Sequence, residues 1–389
     1  MEIIQRPRVF RSPTHACDFA SASGWNPPVP HNISFQAPEA VHLLSRLQFG
    51  VREDEVERAV SEGLDDTLER LLSIQPETDT FQQSEAALRA TAYATSDIND
   101  LKAWWHYATS YAKVHSVPMM AAQNDRFREL AWGSFRELLH AEARDPAMLV
   151  WLDGNANRKR HPNENFAREV MELFSLGIGN YTEHDIQEAA RAFSGWHLRD
   201  KAFWFNATQH DATEKTIFGK TGRYQGDDVL NLCLDHAACP RFLAFKLLRT
   251  FVTSAPTAEQ IEHVAGRYRK ADLQTGPVLR DICRSAEFFA PEHRRNLIKS
   301  PLDFILGTLR PLASHIHWQP VRELLARMGQ DVFEPPSVKG WDGGRQWIQS
   351  TGWILRWNFV SELVTGDRVA TLRPEVWSTP DPWLPGWEL

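Results

Sequence analysis

The stretch from residue 163 to residue 176 carries acidic and arginine side chains at helical spacing. On a helix, Asn165, Arg168, Glu169 and Glu172 fall within one arc of about 100°. Neighbouring carboxylates can act as general acid and base or bind a divalent metal ion, and an arginine beside them can hold an anionic group. The alternative is a solvent-exposed helix face with ordinary ion pairs.

More polar groups surround this helix in the sequence. We expect Glu169 or Glu172 to act as base or metal ligand and a histidine as proton shuttle, with Arg168 or Arg191 holding the anion. The full set of predicted catalytic residues is His161, Asn165, Arg168, Glu169, Glu172, Arg191, His197, His210 and Asp211. We expect Trp196 and Trp204, which flank two of these histidines, to line a pocket and stack on a sugar-like substrate.

The loop 153–164 is a second candidate metal site. Asp153, Asn155, Asn157 and Glu164 occupy positions 1, 3, 5 and 12 of a calcium-binding loop pattern. Arg158 stands at position 6, where the pattern requires glycine for a sharp turn. The alternative is a loop whose Asn and Asp side chains bond to nearby backbone groups. The cofactor is therefore unknown, with a divalent metal ion as one option.

Composition narrows the functional classes. The chain has 389 residues, 42% of them hydrophobic, and a net charge of −7 from 43 basic and 50 acidic side chains. This composition is typical of a globular protein, and the acidic balance argues against general nucleic-acid binding. Four scattered cysteines form no metal-binding spacing and are expected to be buried free thiols. Tryptophan is abundant, with 15 residues concentrated around the polar segment and in the C-terminal part.

The hydrophobic pattern predicts a mainly α, multi-helical protein with a small β-hairpin excursion near 196–218. We predict that residues 1–35 form an irregular arm and that residues 366–389 form a Pro/Trp-rich tail. Residues 36–365 are predicted to form one large helical domain, with a site-bearing segment at 145–225. The hairpin is expected to turn at Arg199-Asp200, with a third short strand at Thr216–Phe218. Predicted helices include 53–62, 64–74, 79–94, 163–176, 227–235, 239–253, 256–270, 277–287, 300–313, 319–328 and 353–364.

The chain start shows no apolar leader segment, and no run of 18 apolar residues is present. We therefore expect no membrane span, and from the residues alone a cytoplasmic protein.

Several motifs resemble the bacterial domain of unknown function 1800 family over about residues 40–360. The most specific block runs through the polar helix and the segment after it. Its matching residues are Pro162–Glu169, Glu172-Leu173-Phe174, Leu176-Gly177, Tyr181-Thr182-Glu183, Asp185, Glu188, Ala189, Arg191 and Gly195-Trp196. Further matches are His210-Asp211, Lys215, Gly219, Phe251-Val252, Glu287-Phe288, Gly329-Gln330, Phe333, Pro335-Pro336, Gly340-Trp341 and Arg356-Trp357-Asn358.

This resemblance implies no established activity. It implies that members are typically exported and often encoded beside a sulfatase-like family, so a sulfatase-like protein is a candidate partner. The chain departs from the family where a Phe-Trp-x-Asn-His-Phe stretch is usual. It has Trp104-Trp105-His106-Tyr107 there, which leaves His106 as the only substitute for the histidine.

Two functions of different kinds remain open. The first is an enzyme with a carboxylate, histidine and arginine site, acting on a glycan-like or anionic substrate. The second is a binding or assembly protein whose Arg/Glu pairs are structural and whose Trp-rich C-terminal part contacts a partner.

Overall fold

Helices form most of the protein, as the periodicity predicts. We describe a computed structural model that defines residues 34–73, 114, 116–312, 318–332 and 334–365. These ranges contain sixteen α-helices and two small antiparallel hairpins. The prediction of a mainly α chain with a small β excursion is confirmed.

The helices fall into two groups of eight, one on each side of the hairpins in sequence. The first group is α1 Ala37–Leu47, α2 Glu53–Glu62, α3 Leu64–Leu72, α4 Val117–Leu130, α5 Phe135–Ala143, α6 Pro146–Trp151, α7 Glu164–Glu169 and α8 Glu183–Phe193. The second group is α9 Gly226–Leu234, α10 Ala238–Phe251, α11 Ala258–Lys270, α12 Thr275–Cys283, α13 Ala286–Phe289, α14 Pro301–Leu312, α15 Trp318–Arg327 and α16 Ser350–Thr365. The predicted helix 277–287 is divided between α12 and α13, because the Ser285 hydroxyl accepts the Phe288 N–H at 3.1 Å and starts a new helix.

The predicted helix at 163–176 is α-helical only in its first half. After Glu169 it widens into a π-helical turn, Val170–Ser175. The Leu176 N–H donates to the Met171 carbonyl five residues earlier at 2.9 Å, and the Ser175 hydroxyl donates to the Val170 carbonyl at 2.6 Å. Gly177 then adopts φ 79°, which ends the helix.

Side-chain caps mark the starts of two helices. Asp145 accepts the Met148 N–H at 3.0 Å and caps α6, with Pro146 in the first helical position. Thr182 and Asp185 form a reciprocal capping box at the start of α8, with N–H to side-chain distances of 3.2 and 2.8 Å. Both helices therefore begin where the sequence places them.

The first hairpin pairs β1 (Trp196–Arg199) with β2 (Ala202–Phe205), Trp196 lying opposite Phe205. Its turn residues are Asp200 and Lys201, with φ of 52° and 62°. The predicted turn at Arg199-Asp200 is thus one residue too early, because both central residues of this tight turn need positive φ.

The predicted third strand belongs to a second hairpin. Lys215–Ile217 forms β3, which pairs with β4 (Lys220–Gly222) and not with the first hairpin. Phe218 and Gly219, with φ of 49° and 71°, make the turn between them.

Aromatic rings from four elements, α7, α8, β1 and β2, meet in the core beneath the hairpins. The rings of Phe166, Phe193, Trp196 and Phe203 pack edge to face or tilted, with Phe193 and Trp196 centroids 5.1 Å apart. Gly226, the first residue of α9, lies directly against this cluster. A β-carbon at this position would be 2.3 Å from the Trp196 ring.

Some predictions lie outside the described residues. These are most of the arm 1–35, the helix 79–94, the Trp104–Tyr107 stretch with His106, Cys17 and the tail 366–389. Cys233, Cys239 and Cys283 are buried free thiols, as predicted. No helix in the described ranges is long and apolar enough to cross a membrane.

A methyl group at Gly226 tests the packing of the aromatic core. Gly226→Ala forces a carbon into the rings of Trp196 and Phe193, so we expect the free energy of unfolding to fall by about 1–3 kcal/mol. Gly266→Ala is the matched control, since Gly266 lies inside α11 and a β-carbon added there would meet nothing within 4 Å. It should gain roughly 0.5–1 kcal/mol. Urea unfolding measures the change in unfolding free energy of both variants. Equal changes in the two variants would contradict the close packing of Gly226 against the aromatic rings.

Candidate functional site

Arg191 on α8 is the most highly connected of the predicted site residues. Its Nε donates to Asp211 at 2.8 Å and its Nη1 to Glu188 at 2.6 Å. Its Nη2 donates to the Thr213 hydroxyl and to the Glu214 carbonyl. These four hydrogen bonds leave at most one of the five N–H donors of Arg191 for a substrate anion.

Helix α8 binds the second hairpin along one face. Asp185, Glu188 and Arg191 follow each other at intervals of three residues. Asp185 accepts the Phe218 N–H at 2.7 Å, and Glu188 accepts the Thr216 N–H at 2.9 Å. These carboxylates replace the strand neighbour that β3 lacks on this edge, so their first role is structural.

Asp211 is ionised over a wide pH range. Burial alone would raise its pKa, but hydrogen bonds from Arg191 and Thr213 outweigh burial and hold the pKa well below its usual range. Its backbone N–H donates to the Ser194 hydroxyl at 2.8 Å. The almost fully buried Lys215 donates to the Asp211 and Thr213 carbonyls at 2.5 and 2.9 Å. Lys215, Thr213 and Ser194 were not among the predicted site residues.

Arg168 joins the polar helix to α8. Its two terminal nitrogens donate to the two carboxylate oxygens of Glu183 at 2.8 and 2.7 Å, and Nη2 also reaches Glu164 at 3.3 Å. The hydrogen bond from Arg168 lowers the pKa of Glu183. Like Arg191, Arg168 is paired within the protein in a bidentate geometry.

The predicted histidines lie in different surroundings. His197 Nδ1 donates to the Asn155 carbonyl at 2.8 Å, and His210 Nδ1 donates to the Ser194 carbonyl at 2.9 Å. The second ring nitrogen of each histidine is Nε2. In His197 this atom is buried without a partner among the described residues. The His161 side chain is exposed.

The loop 153–164 uses its amides to organise backbone. Asn157 donates to the Ala190 carbonyl at 2.7 Å and accepts the Asn163 N–H at 3.1 Å. Asn155 accepts the Leu198 N–H at 2.8 Å, and Asn165 donates to the Leu152 carbonyl at 2.9 Å. These bonds favour the backbone-bonding interpretation of the loop.

No group of three or more His, Cys, Asp or Glu side chains is placed to hold a metal ion in the part of the chain that the structure describes. The predicted metal set of Asp153, Asn155, Asn157 and Glu164 stays a prediction.

Glu169 differs from every other predicted carboxylate. It is half-buried and accepts no hydrogen bond from any residue in the described ranges. Burial and the neighbouring charge of Glu172 raise its pKa, and Arg168 offsets this in part. Glu172 accepts the Tyr181 hydroxyl at 2.5 Å. The result is a pair of acids, Glu169 just before the π-helical turn and Glu172 within it. A phenol holds Glu172, whereas Glu169 has no hydrogen-bond partner among the described residues.

The two tryptophans expected to line a pocket are differently placed. Trp196 is 4% exposed and belongs to the aromatic core, so little of its ring is available to a substrate, and its role in a pocket stays a prediction. Its position on β1 points inward because its neighbours Phe166 and Phe193 supply the packing. Trp204 is 39% exposed on β2, with the Arg199 guanidinium 5.5 Å from its ring centre.

A buried acidic pair outside the polar segment was not anticipated. Glu142 and Asp145 both accept hydrogen bonds from Gln123 Nε2, at 3.3 and 2.9 Å, and Arg126 pairs with Asp145. Burial and the charge of Asp145 raise the pKa of Glu142 to about 8. Their spacing of three residues is an ordinary helix pattern, so only tertiary burial distinguishes them.

Removing the Arg191 guanidinium tests whether the polar network is structural. Arg191→Met leaves Glu188 and Asp211 without their partner in a partly exposed site, so we expect a loss of about 1–3 kcal/mol at pH 7. The lowered Asp211 pKa means that this stabilisation exists above the unfolded-state pKa near 3.8 and is lost as pH falls below it. The deficit relative to wild type should therefore shrink in acid.

Arg199→Met is the control for this experiment, because Arg199 is exposed and its nearest carboxylate contact, to Asp200, is 3.9 Å long. Its unfolding free energy should stay within about 0.5 kcal/mol of wild type. A comparable loss in the two variants, measured by urea unfolding at pH 7 and pH 3.5, would contradict the structural role of the network.

The comparisons with known proteins agree with the motifs quoted above. No curated protein and no solved structure is detectably similar to the chain. The sequence pattern described as "Protein of unknown function (DUF1800)" matches residues 42–382, which is most of the chain. The protein therefore belongs to the DUF1800 family.

Proposed function

We propose that the protein is an enzyme in which Glu169 and Glu172 form the acid–base pair. The observation that carries this proposal is the isolation of Glu169. Every arginine of the predicted site is committed to carboxylates, whereas the Glu169 carboxyl is half-buried, lacks a hydrogen-bond donor in the described part of the chain and has a raised pKa. Unequal environments for two neighbouring acids are the usual way to obtain one proton donor and one base near neutral pH.

The roles follow from the surroundings of each acid. Tyr181 donates its hydroxyl to Glu172 and fixes the position of that carboxyl group, and we assign Glu172 as the base or the charge-stabilising group. Glu169 retains its proton to higher pH and donates it to the leaving group or to a carbonyl oxygen. A glycan-like substrate suits this chemistry better than one anchored by Arg168 or Arg191, because both guanidinium groups are already occupied.

The backbone geometry supports the same location. Glu169 immediately precedes the π-helical turn Val170–Ser175, and Glu172 lies within it. Single π-helical turns interrupt the regular hydrogen bonding of an α-helix and are frequent at functional sites. The widened turn also sets the relative positions of two acids that a regular helix would hold one turn apart.

Neutralising Glu169 should stabilise the fold. A carboxyl whose folded-state pKa is raised weakens folding as pH rises above its unfolded-state pKa of about 4.5. We expect Glu169→Gln to exceed wild type by roughly 0.5–1 kcal/mol at pH 7, with no difference at pH 4. Glu183→Gln is the control, since it removes an acid paired with Arg168 and should be less stable than wild type. Stabilisation by both variants, or by neither, would contradict the assignment.

The catalytic proposal is tested by turnover. Wild-type protein is assayed on chromogenic glycosides and on carboxylic, phosphate and sulfate esters, with and without added Mg²⁺ or Zn²⁺, since paired carboxylates bind either ion. We expect activity on at least one glycoside, a fall of about 10²–10⁴-fold in Glu169→Gln, and near wild-type rates in Glu183→Gln. Equal activity of wild type and Glu169→Gln, or no turnover of any substrate, would contradict an enzyme of this kind.

A second candidate function is assembly, and helix α16 favours it. Leu355 and Phe359 are buried on its inner face, yet Trp353, Trp357 and Val364 on the opposite face are 61%, 69% and 76% exposed. A helix that is apolar on both faces is normally covered on both. The spacing of the exposed residues, including Val360, follows the four–three–four pattern that pairs helices.

We infer that a second copy of the chain covers this face. The exposed side chains, with Ile354, offer roughly 500 Å² per copy, so that a twofold contact would bury about 1,000 Å², near the lower limit for a specific interface. A self-complementary patch is also the simplest way to close a dimer. The sulfatase-like partner implied by the resemblance stays a prediction. Sedimentation of the chain alone tests self-association without involving that partner.

Sedimentation equilibrium tests this contact. Wild-type protein should dimerise at micromolar concentration, and Trp353→Gln with Trp357→Gln should be monomeric because half of the apolar contact is removed. Trp204→Gln is the matched control, since it replaces another exposed tryptophan on a different element. A monomeric wild type, or a double variant that still dimerises, would contradict the assembly role.

A further inference from the structure

An open cleft lies between the first helix and the C-terminal half of the chain. It has a volume of about 1260 Å³ and is bounded by α1, the loop 48–50, the end of α10, the loop 294–300 and the residues around Trp347. None of the predicted catalytic residues lines it. Its size exceeds that of most small-ligand pockets, so it can hold a molecule larger than a single sugar.

The cleft is strongly basic although the chain is acidic. Five cationic side chains face it, against a single carboxylate, Asp303, which caps α14 by accepting bonds from Ser300. The cations are Arg46, Arg249, Arg294, Arg295 and Lys299. In a protein of net charge −7, such a concentration of one sign in a concave surface focuses the field on a bound anion.

Few of these charges are neutralised by the protein. Among the described residues only Arg294 forms an ion pair with a carboxylate, Glu39, at 2.7 Å. Arg249 Nη2 donates to the Asp342 carbonyl at 3.4 Å, and the Asp342 carboxylate interacts with Arg249 electrostatically without a direct ion pair. Arg46 donates to the His293 carbonyl and the Asn296 amide oxygen at 2.6 and 2.7 Å, while its Nε is buried without a partner in that part of the chain. This contrasts with Arg168 and Arg191, whose donors are taken up by carboxylates.

Arg295 and Lys299 have the freest side chains of the set. Neither forms a side-chain hydrogen bond or ion pair with any residue in the described ranges, and both are exposed. Arg295 has φ 55°, a conformation that arginine rarely adopts and that costs free energy. Lys299 Nζ lies over Gly307, 3.1 Å from the point that a β-carbon on this glycine would occupy. Backbone strain that presents a cation is typical of ligand sites.

The walls of the cleft add apolar surface. Val41, Leu47, Leu297, Ile298 and Trp347 line it beside the cations. His42, also in the lining, is neutral at physiological pH, because burial and the nearby charges of Arg46 and Arg294 lower its pKa to about 4. A ligand would therefore meet both fixed positive charges and hydrophobic side chains in the cleft.

We propose that this cleft binds a small organic anion that carries two or more phosphate or sulfate groups. Arginine recognises both tetrahedral oxyanions with paired donors, and Arg249, Arg295 and Lys299 can each engage a different group. The organic part of the ligand packs against Trp347 and the aliphatic wall. This site is independent of the Glu169–Glu172 pair, and its test measures binding alone.

The probes are inorganic tripolyphosphate and a sulfated disaccharide, with orthophosphate and the unsulfated disaccharide as their controls. Titration calorimetry on the full chain should show saturable binding of at least one polyanion and weaker binding of its control, because several cations act together. The bound probe should also raise the melting temperature. Binding of one polyanion only identifies the ester class, and binding of neither overturns the proposal.

Two matched double variants locate the site. Arg295→Gln with Lys299→Gln should raise the dissociation constant by on the order of tenfold per side chain removed. Lys220→Gln with Arg223→Gln makes the same change of charge on an exposed hairpin and should leave affinity within about twofold, because nonspecific attraction is screened by salt. In the absence of ligand, both double variants should have the melting temperature of the wild-type protein. A third variant, Arg249→Gln, on a different element, should also weaken binding. Equal loss of affinity in the two double variants would overturn the site.

Discussion

The hydrogen bonds of the Arg191 guanidinium are the interaction on which the central part of this protein depends. Arg191 holds Glu188 on its own helix, Asp211 and Thr213 in the following loop, and the backbone of Glu214 where the second hairpin begins. A buried or half-buried charge must be matched by partners or it costs several kcal/mol. The loop 211–214, the buried Lys215 and strand β3 consequently take positions that supply those partners.

The need to pair buried charges also distinguishes the polar side chains of residues 161–214 that stabilise the fold from the one that remains unpaired among the described residues. Arg168 is paired with Glu183, and Arg191 is paired with Glu188 and Asp211. Asp185 and Glu188 accept backbone N–H groups, so the spacing of these residues serves the fold. Glu169 stands apart because its carboxyl has no donor among the described residues and its charge is opposed by Glu172. An uncompensated group of this kind weakens the fold, which is the reason that we propose a catalytic role for Glu169.

The balance of positive and negative charge differs between regions of the molecular surface. Around α7 and α8 acids and arginines neutralise each other in pairs, whereas in the cleft beside α1 the cations outnumber the single acid. Unpaired like charges in a concave wall repel one another and lower stability in the absence of a counter-ion. The apolar outer face of α16 is a second kind of unsatisfied surface, because it lacks a hydrophobic neighbour and not a charged one. We propose a different ligand for each of these two surfaces, and neither proposal requires the other.

The sequence alone determined the helical class, the caps at Asp145 and Thr182, the first hairpin and membership of the family. These properties depend on residues within a few positions of each other, whose capping, turn and periodicity preferences act locally. Tertiary structure decided the rest. It moved the hairpin turn to Asp200-Lys201, buried Trp196, paired Arg168 with Glu183, and left Glu169 alone. It also brought Arg46, Arg249 and Lys299 to one cleft across some 250 residues of chain. Burial and charge pairing at that separation depend on how the helices pack, which local preferences do not specify.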